Sequence, residues 1–292
     1  MQVSPTQVQF CHGIWSLTSK VQLVKHEADK TYVITEQSPF HPVSHIWPDH
    51  PADKGNLALG SESHQVVDCL VGAVDLATGE LFVDSAIPVK RDQFGWAFVV
   101  VHVLDGEVTV SVDADVSLNV DQSYQRALSR GHSAGHLAYL ALNKVLVEGS
   151  YWRKQADRLD PHGHYDFNSY AQETSFVSED RCVDQYRLGK TLRKRGLNSA
   201  DMLTNLEQIA LQVNQQLVDW LATGADVVME CQGKALTHSR YWHCDLGERA
   251  PAVIPCGGTH VKSLKEYATI NVELRQIDAQ NIEMHTNVIS AD

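Results

Sequence analysis

Arg130-Gly131-His132-Ser133-Ala134-Gly135-His136 is the stretch that decides how this chain folds, together with Cys256-Gly257-Gly258-Thr259-His260 further along. Each stretch holds two possible metal ligands four residues apart. The first heads an apolar run with helical spacing, and residues at i and i+4 share one face of a helix. His132 and His136 are therefore expected to reach one ion. The paired glycines of the second favour a tight turn, which would bend Cys256 and His260 toward the same point.

These four side chains form a ligand set that suits zinc. A thiolate with imidazoles favours zinc over magnesium or calcium, which prefer oxygen ligands. The chain has 15 histidines, so either spacing alone could arise by chance, and only the conjunction of the two points to a metal. We therefore predict a Zn²⁺ site with His132, His136, Cys256 and His260 as its ligands.

The neighbours of the ligands add a resemblance to a known family. His132-Ser133-x-x-His136-Leu137 and Cys256-Gly-Gly-Thr-His260-Val261 resemble the two zinc-binding motifs of the alanyl-tRNA synthetase editing domain and of its free-standing relatives, the AlaX proteins. The related threonyl-tRNA synthetase editing domain carries a bulky basic residue after its cysteine, where this chain has Gly257. The resemblance therefore favours the alanine branch.

Composition limits the other possibilities. The 292 residues, 43% of them hydrophobic, suffice for one large domain or two ordinary ones. No apolar run approaches the roughly 18 residues that span a bilayer, and Met1-Gln2-Val3-Ser4-Pro5 lacks a signal-peptide pattern. The six cysteines have no framework spacing, which predicts a reducing cytoplasm. A net charge of −12 argues against DNA binding and a broadly basic surface, so any tRNA contact must come from a local basic patch.

The pattern along the chain predicts an α+β protein of two domains. Short β-branched and aromatic runs separated by Asp, Gly and Pro predict a small β-barrel over residues 1–115, and the family has such a barrel before its zinc domain. Residues 116–292 are predicted to form the zinc-binding editing domain, an antiparallel sheet with two long helices. Asp121 is expected to cap a helix through Leu128, with a break at Gly131 before the helix of the two histidines. A second helix is predicted from Ala200 to about Leu221.

One segment departs from the family. Relatives carry a loop rich in glycine and proline where this chain has residues 39–55; Pro51, Asp53 and Gly55 match its end, but Val43-Ser44-His45-Ile46 replaces the glycines. In the family this loop faces the zinc site, so the resemblance does not fix the shape of the amino-acid pocket here. The spacing of the loop's three histidines matches no metal-site pattern, and a polar loop is expected.

Further candidates surround the metal ligands. Ser133 is a candidate to recognise substrate or hold the attacking water, or else to cap its own helix. Asp166, in a Gly-Ser…Asp-Phe pattern that resembles the editing domain, could orient a ligand histidine or be a turn or strand-end aspartate. The backbone N–H groups of Gly257, Gly258 and Thr259 could stabilise an oxyanion.

A basic cluster provides the candidate tRNA surface, for the acceptor stem and 3′ end. Such clusters are usually solvated faces, but in so acidic a chain this one stands out. Its members that we predict to contact phosphate are Arg187, Lys190, Arg193, Lys194 and Arg195. Tyr170 and Tyr186 could add stacking, and Arg153, Lys154 and Arg158 form a weaker second candidate.

The resemblance implies a trans-editing deacylase, zinc-dependent and ATP-independent, that hydrolyses mischarged tRNA(Ala) carrying serine or glycine. Two alternatives stay open: a metal-dependent hydrolase of another aminoacyl-tRNA or amino-acid ester, and a non-catalytic zinc- and tRNA-binding module. The sequence does not decide whether zinc would activate water or only position substrate, because four protein ligands close a tetrahedral site. It also leaves the oligomeric state open.

Overall fold

The computed structural model describes residues 3–46 and 48–291 of the chain. Met1 and Gln2 of the N-terminal pattern, Trp47 of the 39–55 segment and the last residue, Asp292, lie outside the described residues. By its internal contacts the chain divides into two units. Unit 1 comprises Met1–Arg126, Cys231–Arg240 and Gly257–Thr259, and unit 2 comprises Ala127–Glu230, Tyr241–Cys256 and His260–Asp292. The predicted division into domains of residues 1–115 and 116–292 stays a prediction.

Unit 1 is built on an antiparallel sheet of seven strands in the order β5-β9-β2-β3-β8-β6-β7, with a further pairing of β5 with β6. The strands of this sheet are β2 (Ser16–Glu27), β3 (Lys30–Thr35), β5 (Gly55–Leu59), β6 (Glu62–Asp75), β7 (Leu81–Val83), β8 (Trp96–Asp105) and β9 (Asp115–Val120). Two short strands, β1 (Gln7–Val8) and β4 (Gln37–Ser38), pair in parallel beside it. The α+β class is confirmed, whereas closure of this sheet into a barrel stays a prediction.

The core of unit 1 follows from the strand patterns. Strand β8 is buried from Ala97 to Leu104, as expected for a continuous apolar run covered on both faces. Strand β9 instead alternates, burying Val116, Leu118 and Val120. The domain boundary predicted between residues 115 and 116 thus falls within β9, a strand of the unit 1 sheet. A period of two over six residues was the signal for β9.

Unit 2 combines two long and three short helices with two sheets. One sheet has the order β10-β11-β16-β15 and the other β12-β13-β14. Their strands are β10 (Gln172–Ser178), β11 (Arg181–Arg187), β12 (Val227–Cys231), β13 (Arg240–Cys244), β14 (Ala252–Pro255), β15 (Tyr267–Gln276) and β16 (Asn281–Ser290). The helices are α1 (Gln122–Glu148), α2 (Phe167–Ala171), α3 (Lys190–Lys194), α4 (Ser199–Thr204) and α5 (Leu206–Leu221). The contact division between the units falls within α1.

The predicted helix from Ala200 to Leu221 is interrupted. Asn205 leaves helical geometry, with φ −114° and ψ 19°, and separates α4 from α5. Its side-chain N–H groups donate to the backbone oxygen and carboxylate of Asp201, which satisfies groups at the end of α4. Further along, Asn214 of α5 both accepts from and donates to the backbone of Val272 in β15, at 2.7 and 2.8 Å. The apolar stripe of α5 is buried in the core of unit 2, as its spacing predicted.

The predicted break at Gly131 is wrong, because α1 runs unbroken and brings the two histidines onto one face. The glycines instead permit a close approach of the β10–β11 hairpin. A Cβ at Gly131 would lie 2.6 Å from the backbone oxygens of Ser178 and Arg181, and one at Gly135 would lie 2.9 Å from the Cys182 sulfur. Arg130 forms a two-pronged ion pair with Asp180 at the hairpin turn. Among the described helices, none is long and apolar enough to cross a membrane.

The close approach at Gly131 gives a stability prediction. Gly131→Ala is expected to lower the melting temperature, because overpacking against two backbone oxygens costs about 1–3 kcal/mol and outweighs the gain of about 1 kcal/mol in helix propensity. Gly189→Ala is the matched control, since nothing lies within 4 Å of a Cβ there. Thermal unfolding of both variants at one fixed metal concentration makes the comparison. Equal melting temperatures for the two variants would contradict the role assigned to Gly131.

Candidate metal centre

The structure brings together the four predicted ligands, all of them within unit 2. His132 and His136 lie one helical turn apart on α1, and Cys256 directly follows β14. Each residue offers one ligand atom, and these four atoms all lie within 4.8 Å of one another. The Nε2 atoms of His132 and of His260 each lie 3.3 Å from the Cys256 sulfur. The ring centroids of His132 and His260 are 4.2 Å apart in a stacked arrangement.

His136 shows that the donor set fits a metal ion. Its Nε2 atom is buried and has no hydrogen-bond partner among the described residues. A buried polar atom without a partner is costly, and a metal ion would remove that cost. Burial also lowers the pKa of His136 to about 4, so the imidazole is neutral near pH 7, which is the form that binds metals. A soft thiolate beside three imidazoles is a donor set for zinc rather than for magnesium or calcium.

Ser133 holds one of the ligands. Its hydroxyl is fully buried and lies 2.9 Å from Nδ1 of His260, while the backbone N–H of Val261 donates to the same oxygen at 3.2 Å. When Nδ1–H donates to this hydroxyl, Nε2 keeps its lone pair toward the Cys256 sulfur. Such outer contacts fix the tautomer and the ring orientation of metal ligands. The side chain that we predicted as catalytic thus contacts a ligand and the backbone.

Aromatic packing and strand register hold the rest of the centre. Trp242 of β13 is fully buried and packs edge-on against His136, with ring centroids 5.5 Å apart. The same residue pairs with Ile254 of β14, two residues before Cys256. The register of this strand pair therefore sets where the cysteine leaves the sheet. Trp242 could not be identified from the sequence, since a tryptophan in a strand gives no signal of a metal site.

Asp166 takes a different position from that of a ligand-orienting carboxylate. Its side chain caps α2 by accepting from the backbone N–H of Ser169 at 3.0 Å, and it accepts from the Asn143 side chain at 3.3 Å. These contacts match the alternative interpretation of a turn aspartate. Its catalytic assignment stays a prediction without support from its hydrogen bonds.

The residues between Cys256 and His260 are Gly257, Gly258 and Thr259, which belong to unit 1. Thr259 is buried, and its hydroxyl lies 3.2 Å from Nε2 of His50. Within the same unit the His50 ring contacts that of His41, with centroids 4.3 Å apart. Burial lowers the pKa of His50 to about 4, so this ring stays uncharged near neutral pH.

Parts of the 39–55 segment are buried, whereas a polar loop was predicted. Asp53 accepts from the backbone N–H of His41 at 2.7 Å and from the Gln125 side chain, and burial raises the Asp53 pKa to about 7. His45, by contrast, is exposed and pairs with Asp84. Within residues 3–46 and 48–291, no metal-ligand cluster includes a histidine of this segment.

The two predicted basic clusters meet in one surface depression of unit 2. The backbone N–H of Arg153 donates to Gly196 at 2.8 Å, which places Lys154 beside the helix α3 residues. A depression of about 320 Å³ is lined by Lys154, Lys194 and Arg195 together with Asp157 and Thr191. Lys190, Arg193 and Lys194 are exposed. No local sequence pattern indicates that the two clusters meet, because their meeting depends on the pairing of Trp152 with Leu197.

The two tyrosines near this depression differ. Tyr170 lies between two guanidinium groups, 4.6 Å from that of Arg195 and 5.2 Å from that of Arg158. Tyr186 is only 1% exposed and donates its hydroxyl to Asn168, so it packs in the core and has no face for a base. Arg187 at the end of β11 is exposed and lies 3.4 Å from Glu173.

Comparison with known proteins finds relatives in alanyl-tRNA biology. An alanine–tRNA ligase from Parafrankia sp. is 29% identical over 178 residues, which is 59% of this chain and 17% of the ligase. The alanyl-tRNA editing protein AlaX-M from Pyrococcus horikoshii is 26% identical over 186 residues, which is 64% of this chain and 66% of that protein. The chain thus spans less than two thirds of either relative.

Two further comparisons add nothing to this. No protein-family model matches the chain. An inactive mutant of the CurK dehydratase overlays with a TM-score of 0.14 and 8% identity, covering 94% of this chain and 98% of that one, and so carries no argument about fold.

The contact between Ser133 and His260 gives a prediction. Ser133→Ala is expected to lower the metal affinity of the centre by about 10- to 100-fold, the usual effect of removing a partner that orients a ligand. Ser123→Ala is the control, because Ser123 is an exposed residue of the same helix. Chelator competition with cobalt(II) as the probe measures both affinities. An unchanged affinity in Ser133→Ala would show that His260 keeps its orientation without this hydroxyl.

Proposed function

We propose that the protein hydrolyses mischarged tRNA(Ala) in trans, because an alanine–tRNA ligase and an alanyl-tRNA editing protein both match about 60% of this chain. The bond broken is the ester between the amino acid and the 3′-terminal ribose, with serine as the main mischarged residue and glycine as the second. The observation that carries the proposal is the convergence of His132, His136, Cys256 and His260 in a chain with these relatives.

We propose zinc as the resident ion and these four residues as its ligands. The thiolate and imidazole donors, together with the buried Nε2 of His136, support this choice. Zinc bound there would supply positive charge that holds the substrate or lowers the pKa of a nearby water. Because four protein ligands complete a tetrahedral set, positioning of the substrate is the role we favour.

The remaining residues act by position and charge. Ser133 is a positioning residue, since its hydroxyl is engaged with Nδ1 of His260 and the backbone of Val261. The backbone N–H groups of Gly257–Thr259 follow directly after the Cys256 ligand, and we assign them to the developing oxyanion. Asp166 is better described as the cap of α2 than as a member of the reacting site.

We propose that the basic depression on unit 2 binds the tRNA acceptor stem. Lys154 and Lys194 line one concave surface with Arg195, and phosphate recognition needs such clustered cations. Tyr170 lies beside this surface, and its ring contacts the guanidinium groups of Arg158 and Arg195. This local patch provides the positive surface that the acidic net charge of the chain does not.

One observation favours a second candidate, a deacylase for a different aminoacyl-tRNA. The 39–55 segment replaces the family's glycines and buries His41 and His50, and His50 contacts Thr259. This departure from the family's loop is the reason to consider a different amino acid on the tRNA. A panel of charged tRNAs separates this candidate from the first.

The editing proposal predicts selective hydrolysis. Zinc-loaded protein is expected to deacylate Ser-tRNA(Ala) and leave Ala-tRNA(Ala) intact. Cys256→Ala is expected to lose zinc from the centre and to hydrolyse at least about 100-fold more slowly, because misplacing a reacting group has effects of this size. Deacylation of both substrates, with metal content determined in parallel, makes the test.

Cys244→Ala is the matched control for loss of a thiol. Cys244 is buried in unit 2, and it belongs to no metal-ligand cluster of the described residues. This variant should keep both zinc and activity. Zinc-loaded wild-type protein that leaves Ser-tRNA(Ala) untouched would contradict the proposal.

The tRNA surface gives a separate prediction. Lys194→Ala is expected to weaken tRNA binding and to reduce the slope of log K against log salt by about 1, the value for one lost phosphate contact. Lys90→Ala, at an exposed lysine of unit 1, is the control and should keep the wild-type slope. Filter binding over a range of salt concentrations gives both slopes. Identical slopes for the two variants would place the tRNA elsewhere.

A further inference from the structure

A second set of soft ligands lies in unit 1. Cys11, His12 and Cys231 each offer one ligand atom, and these atoms all lie within 4.8 Å of one another. The set shares no residue with the centre on α1 and belongs to the other unit. The two cysteines come from opposite ends of the sequence, so the fold alone brings them together.

Backbone hydrogen bonds hold this arrangement in place. The N–H of Val8 donates to Lys234 at 2.9 Å, the N–H of Leu236 donates to Thr6 at 3.2 Å, and Gln7 pairs with Ala235 in an antiparallel bridge. The segment 231–240 therefore lies along the N-terminal strand, with Cys231 at its beginning.

The chain between β1 and β2 makes a turn that holds two of the three ligands. Phe10–His12 form a single 3₁₀ turn, which Gly13 ends in the left-handed region at φ 66°. Phe10 is buried in the core of unit 1 and anchors the turn. The turn leaves Cys11 half-buried and His12 exposed, beside the half-buried Cys231.

Three other cysteines differ from Cys11 and Cys231 in burial. Cys69, Cys182 and Cys244 are buried, as cysteines usually are when they serve as small hydrophobic side chains. Within the described part of the chain, none of the three belongs to a cluster of metal-ligand side chains. Cys11 and Cys231 are instead partly exposed, and they lie near each other and near the imidazole of His12.

We propose that Cys11, His12 and Cys231 form a second metal site, which takes a soft divalent ion of the zinc class. Two thiolates and one imidazole match zinc and exclude the hard cations magnesium and calcium. Three protein ligands leave the fourth position to water or to a small external ligand. The ion would tie the 3₁₀ turn to the 231–240 segment within unit 1.

Metal stoichiometry tests this site apart from any enzymatic activity. Reduced wild-type protein, loaded with zinc and freed of excess ion, should hold about two zinc ions per chain, one for each ligand set. Cys231→Ser and Cys256→Ser should each hold about one. Wild-type protein with one zinc, unchanged in Cys231→Ser and lost in Cys256→Ser, would overturn the second site.

Cobalt(II) gives a readout that does not depend on the Cys256 variant folding. In wild-type protein the thiolate-to-cobalt charge-transfer absorption should arise from both sets, and Cys231→Ser should remove most of it, since the second set holds two thiolates against one. His12→Ala should weaken the second ion, whereas His26→Ala, at another exposed histidine of unit 1, should not. An unchanged spectrum in Cys231→Ser, or a Cys11–Cys231 disulfide that forms in air with no ion ever bound, would contradict the proposal.

Discussion

His132 and His260 both direct a ring nitrogen at the Cys256 sulfur, and His136 completes the group with a buried nitrogen that finds no hydrogen bond among the described residues. A buried polar atom without a partner is costly, and an ion bound by these side chains would remove that cost at His136. Much of unit 2 serves this convergence. Helix α1 carries two ligands at one-turn spacing, and the β13–β14 register sets the position of the third.

The glycines of α1 show how the centre depends on its surroundings. Gly131 and Gly135 let the β10–β11 hairpin lie directly against the helix, at distances that a side chain would not allow. The ion pair of Arg130 with Asp180 fixes the hairpin turn beside them. The helix that carries the ligands is therefore held on a neighbouring face by close backbone packing and by the Arg130–Asp180 ion pair.

The sequence predicts those features of the fold and of the metal centre that depend only on neighbouring residues. The i, i+4 spacing of His132 and His136 places them on one face whatever the fold, and the apolar stripe of α5 identifies its buried side. Other features arise only from tertiary contacts. Gly131 within the helical pattern predicts a break, because the hairpin packed against it is not evident from the sequence. The same limit applies to Lys154, which joins the basic surface through the Trp152–Leu197 pairing, and to Cys11 and Cys231, which a distant segment brings together.

Zinc X-ray absorption spectroscopy on the Cys231→Ser variant would report the ligands of the α1 centre alone. We expect about one sulfur near 2.3 Å and about three nitrogens near 2.0–2.1 Å around each zinc. Loss of the sulfur shell when Cys256 is also replaced by serine would assign that ligand. A first shell of oxygen and nitrogen only, or two sulfurs per zinc, would contradict the ligand set of His132, His136, Cys256 and His260.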